Sequence, residues 1–190
     1  MQKKITLPYE RELFSTLKVG EDVLLSGVIY SARDQAHKLM VDLINNKAEL
    51  PMQLFGQTIY YMGPCFLKKN SVISSAGPTT ASRMDAFTPK MLDAGIKGMI
   101  GKGRRSQEVK KSIIKNKAVY FGAPGGAGVL LAKSIKKCEL VAWEELGSEA
   151  LLKLEIEDMP VVVIIDSIGN DLYELGPKVY RQSSKKFLDI

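Results

Sequence analysis

The chain has few of the residues that build metal centres or covalent staples. It holds two cysteines, Cys65 and Cys138, far apart and in no metal-ligand spacing, and a single histidine, His37. Two thiols and one imidazole do not fill a zinc or iron–sulfur site, so any such cluster needs ligands from another chain. The same scarcity speaks against a disulfide framework and for a reducing, cytoplasmic compartment. Long apolar runs are missing too. The longest, Val161-Val162-Val163-Ile164-Ile165, has the length of a buried strand, far short of the ~18 residues of a membrane-spanning helix. The N-terminus (Met1-Gln2-Lys3-Lys4) leads into alternating residues and a proline, and is not expected to be a secretory signal.

What is present fits an ordinary globular protein. With 190 residues and 45% hydrophobic content, the expectation is one domain, residues 1–190, with a full core. The net charge of +6 raises the question of nucleic acid. The lysines are scattered, however, and the aromatics are not interleaved with them as base-stacking platforms. A mildly basic surface is the simpler account.

Strand and helix signals alternate. Ile5 to Tyr9 reads as an edge strand, and Val23 to Tyr30, apolar and β-branched, as a strand after the turn Gly20-Glu21-Asp22. Asp34 is a candidate N-cap for a helix carrying Leu39, Met40, Leu43 and Ile44, closed by Asn45-Asn46. A strand follows from Leu54 to Met62, interrupted by Gly56, and a short one at Val72 to Ser75. Thr88-Pro89 reads as a cap with proline in the first turn of a helix ending at Gly95. Gly98 to Gly101 is a small strand, and Ser106 caps a helix with Val109, Ile113 and Ile114 on one face. Ala118 to Phe121, Ile135 to Ala142 and Val161 to Asp166 complete the strands, with a helix from the glycine-rich turn at Gly122 through Lys133. Interspersed elements of this kind make the class α/β, with a mixed sheet and flanking helices.

Cationic groups recur at the loop-like junctions. Arg33 sits where a strand ends and a helix begins, a place where its guanidinium and the helix N–H groups together favour an anion. Its plainer alternative is an ion pair with Asp34 or another carboxylate. His37 shares a face with Met40 and Ile44; it is either a packed core residue or a group that orients Arg33 or Asp34. Thr79 and Thr80 follow Gly77-Pro78, where they either cap the next turn or present two hydroxyls to a ligand. Arg83 falls on the threonine side of a helical turn. Lys102 lies between Gly101 and Gly103, a backbone free enough to bring the amine to a ligand. A buried lysine there could have a lowered pKa and move protons. Two arginines would hold the ends of a small dicarboxylate.

Two nucleotide motifs fail. A phosphate-binding loop needs a glycine five residues before Gly101 and a hydroxyl after Lys102, where the chain has Ile96 and Gly103. In the turn Gly122 to Gly128, Leu131 takes the place of the last glycine of a dinucleotide fingerprint.

Ser31-Ala32-Arg33-Asp34-Gln35-Ala36-His37, Gly77-Pro78-Thr79-Thr80 with Arg83-Met84-Asp85, and Ile100-Gly101-Lys102-Gly103 recur in order with Glu144 to Ala150 and Ile168 to Tyr173. Together they resemble the β subunit of the two-subunit class I fumarases and L-tartrate dehydratases, a unit that also forms the C-terminal domain of single-chain enzymes. The resemblance implies a swivelling β/β/α domain and reversible hydration of a C4 dicarboxylate, fumarate to malate ahead of tartrate. It implies a [4Fe-4S] cluster ligated by the cysteines of a partner α subunit, in an α2β2 heterotetramer. It also implies Thr79 and Lys102 as catalytic residues, Arg33, Thr80 and Arg83 as substrate contacts, and Asp34 and His37 in support. A rival from another class is a nucleic-acid-binding module using Lys102, Arg104 and Arg105; a phosphate- or nucleotide-binding enzyme is weakened by the failed motifs.

Overall fold

Alternation along the central strands sends neighbouring side chains into two different cores. In β3 (Thr58–Tyr60) and the residue after it, Ile59 and Tyr61 belong to one core and Tyr60 to the other. In β6 (Gly98–Gly101) Met99 and Ile100 divide in the same way, as do Tyr120 and Phe121 of β7 (Val119–Gly122). That is the period-2 signature of strands buried on both faces. The computed structural model describes residues 3–8, 14–66, 73–178 and 180.

The elements run β1 (Lys3–Leu7), β2 (Asp22–Ser31), α1 (Asp34–Asn45), β3, β4 (Cys65–Phe66), β5 (Ile73–Ser75), α2 (Thr88–Asp93), β6, α3 (Gln107–Asn116), β7, α4 (Gly128–Lys133), β8 (Ile135–Ala142) and β9 (Leu151–Ile165). Seven strands make one mixed sheet, and β4 and β5 pair separately. β2, β3, β6 and β7 run parallel in that order. β9 pairs antiparallel with β7 and also with β2, which closes these five strands into a circuit. β1 extends β2 in parallel, and β8 extends β9 antiparallel. The expected α/β class with a mixed sheet and flanking helices is found.

Each strand of the circuit contributes to the first core, through Leu25, Ile29, Tyr60, Ile100, Phe121, Leu154 and Val163. The second core lies under the helices, where Ala36 and Met40 of α1, Met91 and Leu92 of α2, and Val109 and Ile113 of α3 meet Ile59, Tyr61, Met99 and Tyr120. Truncating one of these large side chains to alanine costs about 2–5 kcal/mol.

Several elements differ from the sequence reading. The strand expected from Leu54 shortens to Thr58–Tyr60, because the chain turns at Gly56 (φ 76°), whose N–H bonds Gly95 O at 2.9 Å. Asp34 is the first helical residue of α1 and Arg33 its cap, since the Asp34 carboxylate is engaged by Arg83. Thr88 is likewise inside α2, behind Phe87, with its hydroxyl donating to Met84 O and accepting from Arg105. Ser106 does cap α3, accepting from Val109 N–H at 3.3 Å. Ile114, one position past the buried Ile113, turns outward and is 40% exposed. The last strand begins ten residues earlier than Val161, at Leu151. Pro160 is tolerated inside it near a bulge, where Asp158 takes a positive φ of 46° and its N–H bonds Ser26 Oγ. A final helix, 172–178, follows. Tyr9 and Val72, expected strand residues, lie outside the described residues.

Candidate active site

The motif residues collect beyond the C-terminal ends of the parallel strands, the edge where open α/β sheets take their ligands. Arg33 follows β2. Residues 61–63 follow β3, and Gly101-Lys102-Gly103 closes β6. The threonine segment is woven between the last two. Pro78 bridges Met62, Thr79 N–H donates to Tyr61 O at 2.7 Å, and Thr80 bridges Lys102 in parallel fashion. Lys102 N–H donates in turn to Thr79 O at 3.2 Å, and Ala81 N–H to Lys102 O at 2.8 Å. Gly77-Pro78-Thr79-Thr80 thus acts as a short extra strand that sets both threonines beside Lys102.

A 3-10 turn, Ala81–Met84, then carries Arg83 back toward α1. Its guanidinium pairs with Asp34 Oδ2 at 2.8 Å. Arg33, beside Asp34, pairs with Glu149 Oε1 at 3.1 Å. The two arginines therefore converge on the start of α1, each already held by a carboxylate. Arg33 Nε and Asp34 Oδ1 are buried and have no hydrogen-bond partner among the described residues, so neither group is satisfied by its ion pair alone. Gly63 leaves room for this guanidinium, because a Cβ there would stand 2.9 Å from an Arg33 terminal nitrogen and push it aside.

The remaining expected residues divide. Thr79 is half-buried and Thr80 exposed. Lys102 is exposed, which corrects the picture of a buried lysine; two glycines keep its loop open to solvent. Gly101 is fixed by contact, since a Cβ would lie 2.9 Å from the Tyr61 ring and 3.2 Å from Ala81 Cβ. His37 is packed, 1% exposed, with its Nδ1–H donating to Arg33 O at 2.8 Å and its ring edge-on to Tyr61 at 5.3 Å. Burial pushes its imidazole down to about 4. It meets the site through the Arg33 carbonyl and the Tyr61 ring.

Three contributors lie beyond the expected catalytic and substrate-binding residues. Arg105 is 6% exposed and lies over the rings of Tyr61 (5.4 Å) and Tyr120 (5.1 Å), with Asp85 Oδ1 at 2.7 Å. Asp85 Oδ2 also accepts Ser106 N–H at 2.7 Å, so this buried pair pins the threonine loop to α3. With Arg105 enclosed, the expected surface trio of Lys102, Arg104 and Arg105 for nucleic acid does not exist as a patch. Glu149 and Tyr173 are the others. Tyr173 Oη accepts Gly103 N–H at 3.3 Å, while Tyr120 Oη donates to Gly103 O at 3.0 Å. Both Glu149 and Tyr173 stand in motifs that carried the resemblance, which was the available signal.

Gly122 to Gly128 supports the same edge. Ala76 N–H bonds Gly128 O at 2.9 Å, and a Cβ at Gly128 would meet Ser75 Oγ at 2.5 Å. The start of α4 therefore lies directly under the approach to the threonines.

Comparison with known proteins shows the family. The family described as Fumarase C-terminus matches residues 1–176. The chain is 40% identical over 162 residues to the anaerobic class I fumarate hydratase of Escherichia coli, covering 84% of this chain and 30% of that protein. It is 38% identical over 165 residues to fumarate hydratase 2 of Leishmania major, covering 86% of this chain and 29% of that one. The chain therefore spans under a third of the length of these two enzymes. Against the putative L(+)-tartrate dehydratase subunit beta of Methanocaldococcus jannaschii it is 39% identical over 173 residues, with 87% and 89% covered. With nearly the whole length matched and the motif residues gathered on one edge, the chain belongs to the Fumarase C-terminus family.

Proposed function

We propose that this chain is the β subunit of an iron–sulfur hydro-lyase that reversibly hydrates fumarate to malate, in the cytoplasm, with residues 1–190 working as one domain. Its partner is a cysteine-bearing α subunit, in an α2β2 assembly. The observation that carries the reading is the meeting of Arg33, Arg83, Thr79 and Lys102 on one sheet edge in a member of this family.

The described residues do not fit the cluster. Cys65 is exposed on β4, Cys138 is half-buried on β8, and no three His, Cys, Asp or Glu stand together among them. The [4Fe-4S] cluster and its Lewis-acid chemistry belong to the α subunit in this reading. The work of this chain is what its own side chains do.

In the dehydration direction a base takes the proton from the carbon next to one carboxylate. That electron pair becomes the new C=C bond, and the hydroxyl leaves the neighbouring carbon, with a proton, as water. Charge builds on the carboxylate as the proton departs, and fixed cations stabilise it there. Arg33 and Arg83 hold the carboxylates with their planar forks, and Thr80 adds a hydroxyl contact. Thr79 accepts the proton. An unassisted threonine is a poor base, and the Lys102 amine, whose backbone is bonded to Thr79 O, supplies the positive field it needs. Asp34 and His37 support the arginines.

A second reading, the β subunit of an L-tartrate dehydratase, is favoured by one observation: the relative matched over 89% of its length carries that name. Co-expression with a cysteine-bearing α chain, followed by fumarate absorbance and a parallel tartrate assay, separates the two. Turnover is expected only when both chains are present. Thr79→Ala should lower it by about 10²–10⁴, and near-normal turnover removes threonine from the role.

A further inference from the structure

The chemistry above makes no use of the motif Glu144 to Ala150. In the structure Glu144–Glu149 is a 3-10 segment between β8 and β9, entered through Trp143 (φ 61°) and kinked at Gly147 (φ 58°, ψ −116°). None of its residues is buried, and its last side chain ties it to the start of α1. Glu149 Oε1 lies 3.1 Å from an Arg33 terminal nitrogen, and Oε2 accepts the Gln35 N–H at 3.1 Å. The carboxylate bridges the guanidinium and the first turn of α1.

We propose that Glu149 is a positioning residue that sets the Arg33 guanidinium for a substrate carboxylate, an inference that rests on the hydro-lyase reading. Three observations carry it. Among the described residues the grip is single-point: one terminal nitrogen meets Glu149, and Nε, with no partner among them, shows that the guanidinium is not saturated. The holder is fixed, because Ala150 is 3% exposed and Leu151, fully buried, opens β9. Arg33 and Glu149 are also both largely covered, at 17% and 18% side-chain exposure. A long side chain already held in place loses less freedom when a ligand arrives, and binds tighter for it.

The same contact could instead make Glu149 a stand-in anion that the substrate must expel. Its second oxygen argues otherwise. Leaving would strip the Gln35 N–H of its acceptor, at the helix terminus where a carboxylate is most favoured.

The two roles predict opposite changes in KM. In the reconstituted complex Glu149→Ala should raise KM for the dicarboxylate about tenfold or more, with kcat changed less, the pattern of lost uniform binding. Glu149→Gln, which keeps an acceptor for Arg33, should recover part of it. Gly63→Ala, which displaces the Arg33 terminal nitrogen without touching Glu149, should reproduce the rise while leaving the thermal midpoint near wild type. An unchanged or lowered KM in Glu149→Ala overturns the proposal. A wild-type complex that turns over neither fumarate nor tartrate defeats the hydro-lyase reading instead. The positioning role is then judged on the isolated full chain by the ¹H–¹⁵N signal of Arg33 Nε. Its ¹⁵N relaxation should report a rigid side chain in wild type, where Glu149 holds the terminal nitrogen, and a mobile one in Glu149→Ala; equal rigidity in both ends the idea.

Discussion

Asp34 and Arg83, 49 residues apart in sequence, meet in an ion pair of 2.8 Å. The pair ties the 3-10 turn that follows the threonines to the start of α1. Burial alone would raise the Asp34 carboxyl. The Arg83 hydrogen bond, its own backbone and the charges of Arg83 and Arg33 outweigh that and hold it below 3.8. A depressed carboxylate contributes stability above its unfolded pKa and loses it as pH falls through the lowered value. Arg83 is 45% exposed, so the pair is worth only ~0.2–1 kcal/mol. Asp34→Asn should cost that much in urea unfolding at pH 7, and the gap should close well below pH 3.8. Its larger effect should be a raised KM, because Arg83 loses the group that aims it.

His37 gives a steeper acid limb. Burial is the main force driving its imidazole from 6.5 to about 4; the Arg105 charge adds to it, while the Arg33 carbonyl and Asp34 oppose. The folded ring stays neutral while the unfolded ring takes a proton below 6.5. Stability is therefore intact above pH 6.5 and is lost between 6.5 and about 4, on the order of 3 kcal/mol in all. Chemical denaturation at pH 7.5 and 4.5 should show this loss in wild type and much less of it in His37→Gln. Equal acid sensitivity in the variant would place the titrating group elsewhere.

The contrast between these two residues shows what the sequence could reveal. Strand and helix identities, and the junctions holding Arg33, Thr79 and Lys102, follow local rules: alternation, caps and glycine turns. Partner choice does not. Arg33 chose Glu149, 116 positions away, over its neighbour Asp34, and Asp34 went to Arg83. The first pairing depends on how β9 folds back across β2, and the second on where the threonine segment delivers the 3-10 turn. The N-terminal half of β9 carries a strand signal of its own, since Leu152, Leu154 and Ile156 alternate with Lys153, Glu155 and Glu157. Arg105 looked like a surface cation because only tertiary packing supplies its two tyrosine rings and Asp85.

That buried arginine makes a third test. Removing one member of a buried ion pair leaves the other charged and uncompensated, at about 3–5 kcal/mol. Asp85→Ala should therefore destabilise the chain by that order in thermal or urea unfolding, with the Ser106 N–H also losing its acceptor. Arg105→Lys should not restore stability, since a compact ammonium cannot span Asp85, Thr88 Oγ1 and two ring faces. A lysine variant as stable as wild type would reduce Arg105 to a simple counter-charge.

Tyr173 tests whether the Lys102 loop must be rigid. The Gly103 peptide is clamped from both sides, its N–H by Tyr173 Oη and its carbonyl by Tyr120 Oη, with Gly103 at φ 86°. Burial pushes the Tyr120 phenol far up, so it remains a donor at any working pH. Lys102 itself is exposed, and its aim depends on the backbone between these hydroxyls. Tyr173→Phe removes one of them at a half-buried position where water can replace it, so stability should fall by no more than about 1 kcal/mol. If Lys102 acts in proton transfer, turnover should fall about tenfold or more, because small misplacements of a reacting group are costly. A loss of turnover that far exceeds the loss of stability is the expected signature. Unchanged turnover would mean that Tyr120 alone holds the loop, or that the Lys102 amine does not need to be held.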